Sequence, residues 1–114
     1  MELISFRDDP GVPITQFGSR AAASVDLAHG DGDAHVYVVH VEAGGEIGPH
    51  EAGFGQLFVV VTGSGWVREA DGPRVEVDAG QAAFFPRGTV HSKGSEHGMT
   101  AVMIQVTDLY RDLP

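Results

Sequence analysis

The stretch GGEIGPHEAGFGQLFVVVTG, residues 44–63, places a histidine, a glutamine and several turn glycines at fixed intervals before a run of apolar residues. Gly44 is followed by His50, then by Ala52 and Gln56, and Gly63 closes the segment. The run that follows Gln56 is rich in β-branched and aromatic residues, which predicts a long strand. We therefore interpret the remainder of the chain as the scaffold of this segment.

A second stretch, GQAAFFPRGTVHSKGS at residues 80–95, has a related form, with Gly80, Pro86, Gly88 and His91 at fixed spacing. Together the two stretches resemble the two sequence motifs of the cupin superfamily, G-x5-H-x-H-x3,4-E-x6-G and G-x5-P-x-G-x2-H-x3-N. The resemblance covers about residues 36–106, which is most of the chain. It implies one small cupin domain of the RmlC-like kind over residues 1–114.

The composition limits the classes of protein and partner. The chain has 114 residues, enough for one core, and no cysteine, so disulfides and thiolate metal sites are excluded. Sixteen acidic residues against seven basic ones give a net charge of -9, which disfavours nucleic acid and anionic membranes as partners. The opening MELISFRDDP does not resemble a secretion signal, and no apolar run is long enough for a membrane helix. We expect a cytoplasmic protein.

Sixteen glycines and six prolines separate short stretches rich in β-forming residues, which is typical of an all-β domain. Such a pattern indicates a sandwich or a barrel. The resemblance selects a double-stranded β-helix, or jelly-roll barrel, with both motifs facing one cavity. Strands are predicted at residues 3–6 and 20–28, a mobile turn cluster at residues 28–35, and a hairpin turn at residues 63–64.

The alternation of residues 35–42 places His35, Tyr37, Val39 and Val41 on one face of a strand, without indicating which face is interior. On the last predicted strand, residues 99–107, Met99, Met103 and Gln105 alternate, and we interpret them as packing residues; the alternative is an apolar wall of the cavity with Gln105 as its polar group.

In the family, the motif histidines and the glutamate bind a divalent metal. Transferred by position, the resemblance implies a metal site formed by His50, Gln56 and His91, for iron, manganese, nickel, copper or zinc. Ala52 stands where the family has a second histidine, Gln56 stands in place of the glutamate, and Ser95 in place of the final asparagine. Such a set lacks a negative charge to offset a dication, so weaker metal affinity is expected.

Two interpretations of the site remain open. His40, Glu46 or Glu51 would supply a missing ligand, or His50 and His91 are cavity histidines that hydrogen-bond Gln56 and water. The remaining histidines, at positions 29, 35 and 97, are expected on the surface.

The resemblance implies two classes of function. The first is an enzyme that binds a divalent metal and a small molecule in the barrel, with oxygenase or isomerase chemistry and no assigned substrate. The second is a small-molecule binder without catalysis or a tightly bound metal, which the loss of one histidine and the glutamate favours. We also expect a homodimer in which residues 3–6 cover a sheet edge of the neighbouring subunit.

Overall fold

The computed structural model describes residues 1–111, which form ten strands and two short 3-10 helices, Phe6–Asp8 and Gln16–Gly18. The strands are β1 Glu2–Ser5, β2 Val12–Pro13, β3 Ala23–Ser24, β4 His29–Val41, β5 Glu46–Glu51, β6 Gly55–Glu69, β7 Val75–Asp78, β8 Gln81–Phe85, β9 Val90–Gly94 and β10 Met99–Tyr110. Within the described part of the chain, no helix is long and apolar enough to cross a membrane.

The strands form two facing antiparallel layers joined through β6. One layer has the order β1-β8-β6-β10-β4, and in the other β9 pairs with β5 and β6 while β7 also pairs with β6. The first part of β6 belongs to the first layer and residues 64–69 belong to the second. Within residues 1–111, the short β2 and β3 form a separate two-stranded sheet with each other. This arrangement is the predicted jelly roll.

The predicted hairpin at residues 63–64 is wrong, because both residues lie inside the 15-residue strand β6. Gly63 has a φ of 78°, a conformation that a side chain would strain, and the register of β10 against β6 shifts nearby. The glycine thus lets one strand bend from the first layer into the second instead of reversing.

Two local predictions in the N-terminal third are also wrong. Residues 28–35 do not form a mobile turn, because His29 begins β4 and pairs with Tyr110 at the end of β10. The predicted strand at residues 20–28 is reduced to Ala23–Ser24. In both cases long-range pairing, which a local pattern does not contain, decides the conformation.

The interior of the barrel is mostly apolar, and β4 shows which of its faces is inside. Val41 is buried, whereas Val36 and Val38 on the opposite face are 59% and 56% exposed. The core cluster comprises Val41, Phe58, Val60, Val67, Val77, Ala83, Phe85, Met99, Ala101 and Met103. At the far edge of the first layer, β1 pairs with β8 of its own chain, from Glu2 opposite Phe84 to Ser5 opposite Gln81. This strand therefore covers an edge of its own barrel.

Candidate functional site

The register of the first layer places Gln56 on the inner face of the barrel. Gln56 is the Cα partner of Phe85 on β8 and of Gln105 on β10, and residues paired across strands share a face. Phe85 is a member of the buried core, and Gln56 itself is 3% exposed. The amide predicted as a ligand therefore lies inside the barrel.

The two motif histidines meet across the second layer. His50 on β5 and His91 on β9 are Cα partners, and their ring centroids are 4.4 Å apart. The centroid of the His91 ring is also 4.7 Å from that of Phe85, the Cα partner of Gln56. His91 is 1% exposed, whereas His50 is exposed, so this pair connects the interior with the mouth of the barrel.

The hydrogen bond of His50 fixes its neutral tautomer. Its Nδ1 lies 2.9 Å from the carbonyl oxygen of Gly48, which can only accept, so Nδ1 carries the hydrogen. The Nε2 atom of neutral His50 then has a free lone pair. This atom is able to accept a hydrogen bond from a ligand or to bind a cation.

Sequence reasoning missed a third polar residue of the interior, Lys93, which is the only lysine of the chain. Lys93 is two residues after His91 on β9 and is 0% exposed. Its Nζ atom hydrogen-bonds His91 Nδ1 and lies 4.6 Å from the ring centroid of Phe85 and 5.2 Å from that of Phe58. The signal was in the sequence, since alternation on a strand puts residues 91 and 93 on one face.

Burial governs the charge states of both residues. Loss of solvation lowers the pKa of the Lys93 ammonium from 10.5 to about 7. It also lowers the pKa of His91 from 6.5 to about 3, with smaller contributions from the positive charges of Lys93 and His50. His91 is therefore neutral at physiological pH.

Two buried polar atoms at this site, Gln56 Oε1 and His91 Nε2, have no hydrogen-bond partner among residues 1–111. Buried polar atoms are normally paired, so each unpaired one requires an explanation such as a water, an ion or a ligand. Both residues neighbour Phe85, which is the Cα partner of Gln56 and whose ring is 4.7 Å from that of His91.

The donor set does not fit a tightly bound divalent metal. His50, His91 and Gln56 offer two imidazoles and an amide but no anion. Among residues 1–111 there is no group of three or more His, Asp or Glu side chains arranged to hold a metal ion. The Lys93 ammonium, in contact with His91, would in addition repel a dication.

The other residues considered as ligands lie elsewhere. His40 is exposed on the outer face of β4, where its Nδ1 is 2.9 Å from Thr100 Oγ1. Glu46 and Glu51 are exposed on β5. Ser95, at the position of the family asparagine, donates to the carbonyl of Ser64 on β6 at 2.6 Å and accepts from the Gly98 N–H at 2.7 Å, so it stabilises the turn between β9 and β10.

A second polar group lines the inner face next to Gln56. Gln105, the Cα partner of Gln56, donates from Nε2 to Tyr37 Oη at 3.1 Å, and the rings of Tyr37 and His35 are 4.6 Å apart. His35 is exposed, as expected for a surface histidine, but it stands on the inner face at the mouth. Gln105 is therefore one of a row of polar side chains on the inner face, which runs from Gln56 on β6 to Tyr37 and His35 on β4.

Two clefts on the outside of the molecule are not lined by His50, Gln56, His91 or Lys93, although Glu46 and Ser95 line the first of them. A cleft of about 290 Å³ lies beside Trp66 and Arg74, whose guanidinium carbon is 3.9 Å from the indole centroid. Another, of about 440 Å³, lies between Asp9 and Asp26. Inside the barrel, the rings of Phe58 and Phe85 lie beside the Lys93 Nζ atom.

The sequence model of the protein family described as the cupin domain matches residues 37–107, which is more than half of this chain. The chain therefore belongs to the cupin family. Among curated proteins, none matches the sequence.

Solved structures with the same fold support this assignment. A cupin-like protein from Thermotoga maritima has a TM-score of 0.64 at 20% identity, with 81% of this chain and 84% of that chain covered. A protein with a double-stranded β-helix domain from Klebsiella pneumoniae has a TM-score of 0.61 at 22% identity, with 75% of this chain and 80% of that chain covered. The DMSP lyase DddQ from Ruegeria pomeroyi has a TM-score of 0.57 at 20% identity, with 69% of this chain and 38% of the lyase covered. At these identities the likeness concerns the fold alone.

Proposed function

We propose that this cupin binds a small molecule at the mouth of its barrel and does so without a tightly bound metal. The observation that carries the proposal is the buried Lys93 ammonium, which contacts His91 at the position where the family places its metal ligand. In its protonated form, Lys93 places a positive charge at this point instead of the charge that a metal would bring. The unpaired atoms Gln56 Oε1 and His91 Nε2 supply directional contacts for a ligand.

A metal-dependent oxygenase or isomerase is the second candidate, and one observation favours it. The His50 tautomer leaves Nε2 free, and His91 Nε2 is unpaired, so two imidazole nitrogens are available near each other. Such a site would require Lys93 to be neutral and an anionic ligand from the substrate to complete the coordination.

A thermal-shift screen of small polar molecules, with and without EDTA, tests the proposed function. We expect some molecules to raise the melting temperature equally in both conditions, and the increase to be lost in His91→Phe. His40→Ala is the matched control, since His40 is exposed on the outer face. Stabilisation that disappears with EDTA and returns with a divalent metal would instead support the metal-dependent candidate.

A homodimer remains part of the proposal. The exposed apolar side chains of Val36 and Val38 stand on the outer face of β4, and β4 is an edge strand of the first layer. An exposed apolar strand at a sheet edge is normally covered by a partner.

A further inference from the structure

Residues 12–24 form a hairpin arm that stands apart from the barrel. Its strands β2 and β3 pair with each other, and within residues 1–111 the hydrogen bonds of the arm stay inside it. None of its residues is buried. The radius of gyration of the molecule is 14.8 Å, whereas a compact domain of this length has about 13 Å. The arm is therefore a part of the chain that its own barrel does not cover.

Phe17, near the tip of the arm, holds its ring in solvent. It is 97% exposed, and its backbone has a φ of 60° and a ψ of 23°. This left-handed conformation is rare for a bulky residue, because its Cβ approaches the backbone too closely. An aromatic ring that is held outward in a strained conformation, without a buried contact in its own chain, is typical of an anchor residue for a partner.

The charge of the arm differs from that of the rest of the molecule. The arm contains no Asp or Glu, although the chain has sixteen acidic residues, and its only charged residue is Arg20. Arg20 is exposed and forms no ion pair among residues 1–111. Because the net charge is -9, two copies of the chain repel each other over most of their surfaces. The arm is a part of one copy that the acidic surface of another attracts.

The outer face of β4 provides a surface of complementary character. Val36 and Val38 are 59% and 56% exposed there, and β4 is the last strand of its layer. Nearer its start, β4 also carries the exposed Asp31 and Asp33, opposite in charge to Arg20. An exposed apolar edge strand of this length is normally covered.

Both ends of the arm are attached on the same outer face. Val36 is the Cα partner of Ile104, and Ile104 is the Cα partner of Leu57, so their side chains share this face. Phe6, before the arm, and Leu27, after it, pack against the cluster that contains Leu57. A two-fold axis can therefore bring the arm and the exposed face of β4 onto a second copy together.

We propose that the hairpin arm of one copy docks on the outer face of β4 of a second copy, with the ring of Phe17 against the partner's Val36 and the partner's Val38. Two-fold symmetry repeats the contact, so each copy gives one arm and receives one, and the assembly closes. The inference rests on the homodimer of the proposed function and names the segment that forms it. The arm takes the role expected for residues 3–6, which pair with β8 of their own chain.

The exposed area agrees with an interface of ordinary size. The accessible surface of the chain is 6750 Å², whereas a compact monomer of 12.0 kDa exposes about 6,000 Å². The excess is close to the area of about 800 Å² that each partner buries in a standard interface. The chain thus exposes enough additional surface to form a dimer.

Light scattering with Phe17→Gly tests the docking of the arm. Glycine adopts the left-handed conformation without strain, so the variant should keep the folded monomer. We expect a wild-type dimer at micromolar concentration and a dissociation constant at least about tenfold higher in Phe17→Gly. Val90→Ala is the matched control, since it removes an exposed apolar side chain on β9 of the second layer. A dimer of unchanged affinity in Phe17→Gly would overturn the inference.

A proximity measurement leaves the ring of Phe17 in place. Because the chain has no cysteine, Gln16→Cys gives a single attachment point for a nitroxide spin label beside Phe17. When these chains are mixed with 15N-labelled wild-type chains, they should broaden the amide signals of Val36 and Val38 more than that of Val77 on β7. The nitroxide and the 15N label are on different chains, so such broadening arises only between copies.

The outcomes separate the inference from the homodimer. If dimers form but Phe17→Gly leaves their affinity unchanged, or the signals of Val36 and Val38 stay sharp, the homodimer stands and the docking of the arm is wrong. If the wild type is a monomer even at the concentration of the NMR sample, both are wrong. Ligand binding at His91 does not depend on either result, because the thermal-shift screen measures it separately.

Discussion

The substitution Lys93→Met should stabilise the protein at neutral pH and alter how its stability depends on pH. Burial lowers the pKa of Lys93 from 10.5 to about 7, so at pH 7 the folded chain holds this proton only about half of the time, whereas the unfolded chain holds it firmly. At about 1.4 kcal/mol per unit of pKa, this costs about 4 kcal/mol at pH 7. Methionine has a similar shape and no charge, so it avoids this cost.

The pH dependence follows from the same difference. As the pH rises above 7 the folded chain releases the Lys93 proton, whereas the unfolded chain holds it up to about pH 10, so the free energy of unfolding rises with pH. From pH 7 to 9 the increase should be about 2 kcal/mol in the wild type and absent in Lys93→Met. Urea unfolding followed by the fluorescence of Trp66, the only tryptophan, measures both curves. Parallel curves for the two proteins would refute the reasoning.

Four further predictions concern other residues. Between pH 6.5 and 4, acidification should lower the free energy of unfolding more in the wild type than in His91→Asn. The reason is that His91 takes up a proton in the unfolded chain but not in the folded chain over this range. Urea unfolding at several pH values measures the difference. Zinc titration should show at least tenfold tighter binding when Gln56→Glu is combined with Lys93→Met, and equal affinities would place any metal elsewhere. Gly94→Ala should destabilise the protein by about 2 kcal/mol or more in urea unfolding, since the added Cβ would lie 2.5 Å from Trp66 Cζ2, whereas Gly53→Ala has open space and serves as the control. Light scattering at micromolar concentration should give a dimer that Val36→Asp with Val38→Asp separates, and a monomeric wild type would contradict the homodimer.

The sequence predicted the fold through features that are local in the chain. Motif glycines occupy positions that require positive φ, such as Gly63 and Gly80, and polar residues at fixed offsets mark the inner face of a strand. The path of β6 between the two layers and the extension of β4 back to His29 could not be predicted, because both depend on pairing with β10 and β7.

For the site, the sequence identified the residues that the structure brings together but not their electrostatics. The pairing of His50 with His91 and the burial of Gln56 follow from the motif frame. The electrostatic effect of Lys93 on the site could not be predicted from the family motifs, because Lys93 is not a motif position. This effect depends on the complete burial of Lys93 and on its contact with His91, which only the structure shows. Its alternation with His91 was nevertheless readable in the sequence.

Elemental analysis of the untagged protein, purified without chelator, tests the central claim most directly. A site with a buried ammonium beside His91 and no carboxylate ligand should retain iron, manganese, nickel, copper and zinc at well below one equivalent per chain. One equivalent of a single metal, lost in His91→Phe and retained in His40→Ala, would contradict it.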